Sequence, residues 1–572
     1  SSYRISWPLD SRGGRVSHSS KPRTLGARYL PARRSVKRSI EGGSVKRTVV
    51  ALVLATCWAA PLRAQQGASL TPQQWREDIR YVADALVRNH VDAFHTARED
   101  AFRDSTEALI ARIEGATDAE IVMGLSALAA SIEDAHTYLR LPTDGPLAFR
   151  PYGVRFEWLA DGLAIGETSE QHAALVGARV DSIGGISPAS AVRRASRYLY
   201  RENEWTARIS APRVLGHAEA AGALGLAGPD GALELVLTLP DGRTARTTVH
   251  AEETPIEEWL APHDVGAFDP PRYLRHRDRL YWFERIDDLD AWYVQFNSAR
   301  DAPDESIAAF AARLADSLDA RPAGRLVLDL RWNVGGSSAA TVPLVRTLVA
   351  LRESTDPRFF VVTGRWTLSA SIVMLGDLVR FLDPVLVGEP TGARPNLYGE
   401  NPFTDRAPHS GLRFTWATQY FQPFGPDPQP EAVLPTVAAL TTRDDLLRGR
   451  DPALEAIATY EPRDLRRALL EGYETAGMAG AAEAYDDFRG DPANAFRRPF
   501  DVVRRFGRDL AEDGLDGTLT VYRWLMRDYP ERARSWELMG SVYQDLGRLE
   551  EARSHYLEAL ERLPGDTTVS RP

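Results

Sequence analysis

The stretch RWTLSASIVMLGDL, residues 365–378, carries the hydroxyls of Thr367, Ser369 and Ser371 at alternate positions, where a β-branched apolar run gives way to a helical pattern. Ser369 falls where that helix would begin. A helix N-terminus offers unpaired N–H groups and positive potential, which favour an alkoxide or an oxyanion. The plainer role for such a serine is to cap the helix, its oxygen accepting one of those N–H groups. A second stretch, LVLDLRWNVGGSS at 326–338, ends an apolar strand in Gly335-Gly336. Paired glycines let the backbone take conformations closed to other residues, and the N–H groups of such a turn can hold a developing oxyanion. A bare β–α turn would read the same way. A serine nucleophile also needs a base to take its proton. Lysine is excluded over most of the chain, because Lys21, Lys37 and Lys46 are the only three and residues 47–572 contain none.

The elements that would have to position these residues can be traced by period and punctuation. A chain of 572 residues is too long for one core, so a multidomain α/β organisation is expected. Residues 65–147 read as a helical domain: Thr71-Pro72 with Gln74 marks a helix start, and Trp75, Ile79, Val82, Ala83 and Leu86 recur at helical spacing. Residues 148–258 alternate and are cut by ADG, GG and PDG, the texture of a β-rich module. Residues 259–460 alternate strand and helix: AWYVQF, a helix over 304–318, GRLVLDLRWN, a helix over 338–352, RFFVVTG, a helix over 369–382, then PVLVGEP. That order implies a largely parallel sheet, whose ligands sit at the C-terminal ends of strands. NVGGSS and TLSAS both fall at such ends. Residues 461–572 are helical and repetitive; Trp536, Gly540, Tyr543, Gly547, Ala552, Tyr556, Ala559 and Pro564 follow tetratricopeptide spacing, with Met539 in the place usual for Leu. A stack of such helical pairs would offer a protein partner a docking surface.

The first 64 residues read differently. Residues 1–44 are rich in Arg, Ser and Gly without apolar periodicity; then come Lys46 and Arg47, an apolar run over 48–62, and the small Ala64. This is the layout of a cleaved export leader, with an apolar run short for a membrane span. The expected mature chain therefore starts at Gln65 and is periplasmic or extracellular. An alternative uses Cys57 as a lipoprotein anchor, although Thr56 suits the preceding position poorly. Residues 1–64 hold 13 of the 69 Lys and Arg but 2 of the 79 Asp and Glu, so the remainder, 56 against 77, carries −21. Such an acidic protein is not built to track nucleic acid or an anionic membrane. Cys57 is the only cysteine, so the mature chain forms no disulfide.

Taken together, these stretches resemble the superfamily of tail-specific and C-terminal-processing serine proteases. The resemblance joins Asp329, Leu330, Arg331, Asn333, Gly335 and Gly336 to Ser369, Ala370 and Ser371, then to Gly388, Glu389, Pro390 and Thr391, and covers about residues 70–460. It implies a crotonase-like spiral β-β-α core over 259–460 and a PDZ-like module upstream, where GARVDSIGGISPASAV fits a strand and tight turn before a helix. It also implies a serine peptidase acting on peptides or unfolded chains without metal or organic cofactor, with Ser369 as nucleophile and an oxyanion hole at Gly335, Gly336 and Ala370. One branch of the superfamily uses a Ser/Lys dyad; its lysine position falls here on Arg394, which cannot be deprotonated to act as base. The other branch, similar to the tricorn core and the interphotoreceptor retinoid-binding protein repeats, has D-x-H-T, present here as Asp134, Ala135, His136 and Thr137. His136 is thus the implied base. For the acid orienting it, Glu400 in LYGENPF is the first choice, with Asp427 and Glu431 nearer the place where the tricorn-like pattern carries its Glu; Thr436 replaces an Asp expected there, and Ala135 a Ser. A non-catalytic carrier of apolar ligands, or a scaffold built on the helical repeats, is the competing expectation.

Overall fold

The computed structural model describes residues 70–563, apart from 253–255, 257, 267, 402, 427, 428, 463 and 513. The expected leader with Cys57, the candidate Asp427 and Pro564 lie outside the described residues. The first helix, Pro72–Asn89, opens with a capping box in which Thr71 and Gln74 satisfy each other's main-chain N–H groups. Its stripe of Trp75, Ile79, Val82, Ala83 and Leu86 is buried, packed with helices Glu99–Ala111 and Asp118–Ala130. Beyond them the chain reverses at Glu133 (φ +64°) and enters the short strand Tyr138–Leu139. This strand pairs antiparallel with Arg413–Thr415, Tyr138 facing Thr415 and Leu139 facing Phe414. A two-residue strand thus fastens the segment around His136 to chain nearly three hundred residues away.

Residues 154–249 form an antiparallel sheet in the order Val154–Leu159, Gly162–Thr168, Arg179–Ile183, Leu233–Thr238 and Thr244–Val249. Helix Pro188–Ala195, capped by Ser187, follows its third strand. Helices Glu204–Leu215 and Ala218–Ala223 come next. Neither is legible in the sequence, because one carries Pro212 inside it and the other is a six-residue run of Ala, Glu and Gly. One hydrophobic cluster runs from Trp75 and Leu86 through Phe149, Ile165 and Leu235 to Phe414 and Trp416. Position 147/148 therefore separates element types that share a core.

The central sheet has six strands in the order Val437–Ala438, Val385–Gly388, Arg358–Thr363, Arg325–Asp329, Ala291–Phe296 and Tyr281–Ile286. All neighbours are parallel except the last two. Leu326, Val327 and Leu328 are buried in succession, as a strand covered on both faces requires. Helices Ile307–Ala320, Ser338–Ser354 and Ala370–Leu382 pack on one face; the other carries Ala453 and Ile457 of helix Pro452–Ala458. The two stretches singled out for chemistry leave adjacent parallel strands at their C-terminal ends, after Asp329 and Thr363.

The last helices, from Leu465–Gly490 to Leu549–Arg562, have a core of their own containing Tyr485, Phe506, Leu525 and Val542. Leu465–Gly490 is broken by non-helical Ala476 and Gly477. Helices Ala533–Asp545 and Leu549–Arg562 approach closely where Gly540 meets Tyr556; a Cβ there would lie 2.8 Å from the ring. The whole is a multidomain α/β architecture with several hydrophobic cores. Among the described residues no helix is long and apolar enough to cross a membrane.

Candidate active site

Ser369 stands immediately before helix Ala370–Leu382 with φ +56° and ψ −126°. A residue with a side chain rarely takes that conformation, at a cost of about 1–3 kcal/mol unless its surroundings enforce it. Here they do. Thr367 Oγ1 donates to Leu330 O (2.9 Å) and accepts from Gly364 N–H (3.0 Å). Ser371 Oγ lies 2.9 Å from Asn333 O and 2.7 Å from Leu368 O, while Leu368 N–H donates to Asn333 O at 3.0 Å. Thr367 and Ser371 are fully buried and tie the turn to residues 330–333. Ser369 makes no capping bond; its Oγ lies 2.9 Å from His136 Nε2, across 233 residues of sequence.

His136 is placed through its main chain. Asp134 Oδ1 accepts the N–H groups of His136 and Thr137, each at 2.7 Å. Thr137 Oγ1 accepts Ala417 N–H at 3.1 Å, next to the strand pairing at 415. Asp134 Oδ2 faces His90 Nε2 at 2.9 Å, and His90 Nδ1 accepts Asp92 N–H at 2.9 Å, which leaves the His90 proton on Nε2, directed at Asp134. Burial alone would raise the Asp134 pKa, but the hydrogen bond from His90, with the pull of the neighbouring His136 ring and of Thr137, holds it below the usual carboxylate value. For His136 burial dominates and lowers the imidazole pKa, against the opposing pull of Asp134, the Tyr398 main-chain carbonyl and Glu400. The result is an imidazole kept neutral, the form that can accept a proton.

His136 Nδ1 is buried and makes no hydrogen bond of ordinary geometry; the Tyr398 carbonyl is the acceptor that acts on the ring. Glu400, the expected acid, takes φ +52° and reaches the imidazole through its charge, without a hydrogen bond to it. Glu431 is mostly exposed and pairs with Arg394 at 2.8 Å. The carboxylate in contact with the His136 segment is instead Asp134, on the main-chain side.

Gly335 and Gly336 have φ +106° and +140°. A Cβ on Gly335 would lie 2.6 Å from Ser369 Cβ and 3.0 Å from its Oγ, and one on Gly336 2.4 Å from Ala299 O. Glycine at 335 is what lets the two strand-end turns touch. Gly335 N–H is committed to Asn333 Oδ1 at 2.9 Å, so it is not free for an oxyanion. Gly336 N–H and Ala370 N–H make no main-chain hydrogen bond among the described residues, and Ala370 begins its helix. Of the three expected donors, two remain available.

No family model matches the chain, and no curated protein matches it in sequence. Among solved structures, mature CPAF complexed with lactacystin superposes with TM-score 0.50 at 12% identity, over 68% of this chain and 97% of its own. Mature CPAF gives the same figures. The photosystem II D1 C-terminal processing protease covers 67% of this chain and 96% of its own at 16% identity, with TM-score 0.33. The structural neighbours are tail-specific proteases.

In this chain the elements that hold Ser369 lie between 329 and 371, and those that hold His136 come from 90–92, 134–139 and 415–417. Asp134 belongs to the DAHT motif, which by itself assigns it no role. His90 and the Tyr398 carbonyl carried no signal, since a lone histidine and a main-chain oxygen look like any other. Among the described residues no three His, Cys, Asp or Glu side chains gather as a metal site.

Proposed function

We propose that the protein is a serine peptidase that cleaves peptides or unfolded chains by acyl transfer through Ser369. The observation that carries this reading is the 2.9 Å contact between a strained serine that caps nothing and a buried imidazole. Ser369 Oγ attacks the scissile carbonyl carbon while His136 Nε2 takes its proton. The carbonyl oxygen, now an anion, lies against Gly336 N–H and Ala370 N–H. His136 then returns the proton to the leaving amine, and water repeats the sequence to release the acyl group. Asp134 and His90 act as positioning residues. The crotonase-like core, the PDZ-like module over 148–258 as a presenter of chain ends, the tetratricopeptide-like helices as a docking surface, and export past the leader belong to the same proposal. A carrier or scaffold is less favoured, because neither has a use for a strained hydroxyl beside a neutral base. The test is hydrolysis of casein-like and short fluorogenic peptides: Ser369→Ala should lose about 10⁶-fold in kcat, and cleavage at the unaltered rate would overturn the assignment.

A further inference from the structure

A cavity of about 270 Å³ lies beside the segments that hold the base: Asp134 and Tyr398 line it, His136 and Ser369 do not. We propose that this cavity is a recognition pocket for a cationic side chain, lysine or arginine, in the substrate segment that departs after cleavage, with Glu202 as its buried counter-ion. The inference rests on the peptidase reading above. Because the base hands its proton to the leaving amine, the departing segment must pass the imidazole side of the site.

Glu202 is 4% exposed and lines the cavity. Its Oε1 accepts Arg394 N–H at 3.0 Å, whereas Oε2 is buried with no partner. A buried carboxyl oxygen left unmatched is a standing demand for a polar partner. The rest of the lining favours a positive one. Asp134 is held ionised, and Glu133 and Glu431 are paired to Arg201 and Arg394. Arg394 is the one lining cation among the described residues, and it is already committed. On the remaining side the Tyr398 ring sits 4.0 Å from His95 and 4.6 Å from Tyr420, an aromatic wall of the kind that attracts cations. Burial pushes the Glu202 carboxyl up to about 8; the charges of Asp134 and Glu431 act in the same direction, and the Arg394 N–H and guanidinium oppose them. An entering ammonium or guanidinium brings that carboxyl pKa back down, so the Glu202 proton leaves to water as the ion pair forms.

The experiment uses the full chain and quenched fluorogenic peptides differing only by lysine or norleucine at each of the first positions after the scissile bond. At one position, lysine is expected to raise kcat/KM about tenfold or more, and Glu202→Gln to bring the two rates together by slowing the lysine peptide more. Equal rates in the unaltered protein overturn the proposal, as does a Glu202→Gln variant that keeps the ratio. If no peptide is cleaved, anisotropy with the same peptides separates the two claims: tighter lysine binding that Glu202→Gln abolishes upholds the pocket while the peptidase reading falls. Equal binding removes the pocket. Binding of n-butylamine without any preference among peptides would make this a small-amine site and overturn its assignment to substrate.

Discussion

The two halves of the candidate site are built in opposite ways. The serine half is local: two β–α turns at the ends of neighbouring parallel strands, pressed together at Gly335 and stitched by Thr367, Ser371 and Asn333. The imidazole half is assembled from distant pieces, with His90 and Asp134 behind the main chain of His136, a two-residue strand paired at 415, and the carbonyl of Tyr398 against the ring. The first is held by backbone geometry that tolerates no added atom, the second by a chain of hydrogen bonds. Each should fail in its own manner.

The largest effect tests whether the halves act as one unit. Ser369→Ala and His136→Ala should each cost about 10⁶-fold in kcat, and the double variant should be no slower than either alone, because a nucleophile without its base and a base without its nucleophile are equally idle. Next is the local half by itself. Gly335→Ala puts a Cβ within 2.6 Å of Ser369 Cβ at φ +106°; displacing the nucleophile by a fraction of an ångström should lower kcat by about 10²-fold. Circular dichroism should show the fold kept.

The difference between the halves also explains what could be read beforehand. Turns are specified by the residues in them, so DLRWNVGG and TLSAS mark both strand ends, although each alone reads equally as a plain turn or a helix cap. Parallel strands with continuous apolar runs, such as Leu326 to Leu328, were equally plain. The imidazole half depends on pairings between residues hundreds of positions apart, which no local period encodes. Glu400 was a natural choice because it follows the right strand, yet a main-chain carbonyl two residues earlier occupies the place next to the ring. The shared core of the N-terminal helices and the five-stranded sheet was hidden for the same reason.

The smallest effect probes the distant half. Asp134→Asn keeps an acceptor for the two N–H groups but removes the charge that opposes the lowering of the His136 pKa. A neutral imidazole is the active form, so a lowered pKa preserves activity as pH falls. The acid limb of kcat/KM should therefore lie below about 6.5 in the unaltered protein. In Asp134→Asn it should move lower still, with kcat down about tenfold as the ring loses its placement. A limb moving upward would show that Asp134 does not act on His136 as described.

The most direct test is labelling by a fluorophosphonate, which reacts with a serine only where a base activates it. Full-length protein should be labelled at Ser369 and Ser369→Ala not at all, while His136→Ala should be labelled more slowly by about two orders of magnitude or more. Labelling that survives Ser369→Ala, or that proceeds at the unaltered rate in His136→Ala, would contradict the pairing of these two residues.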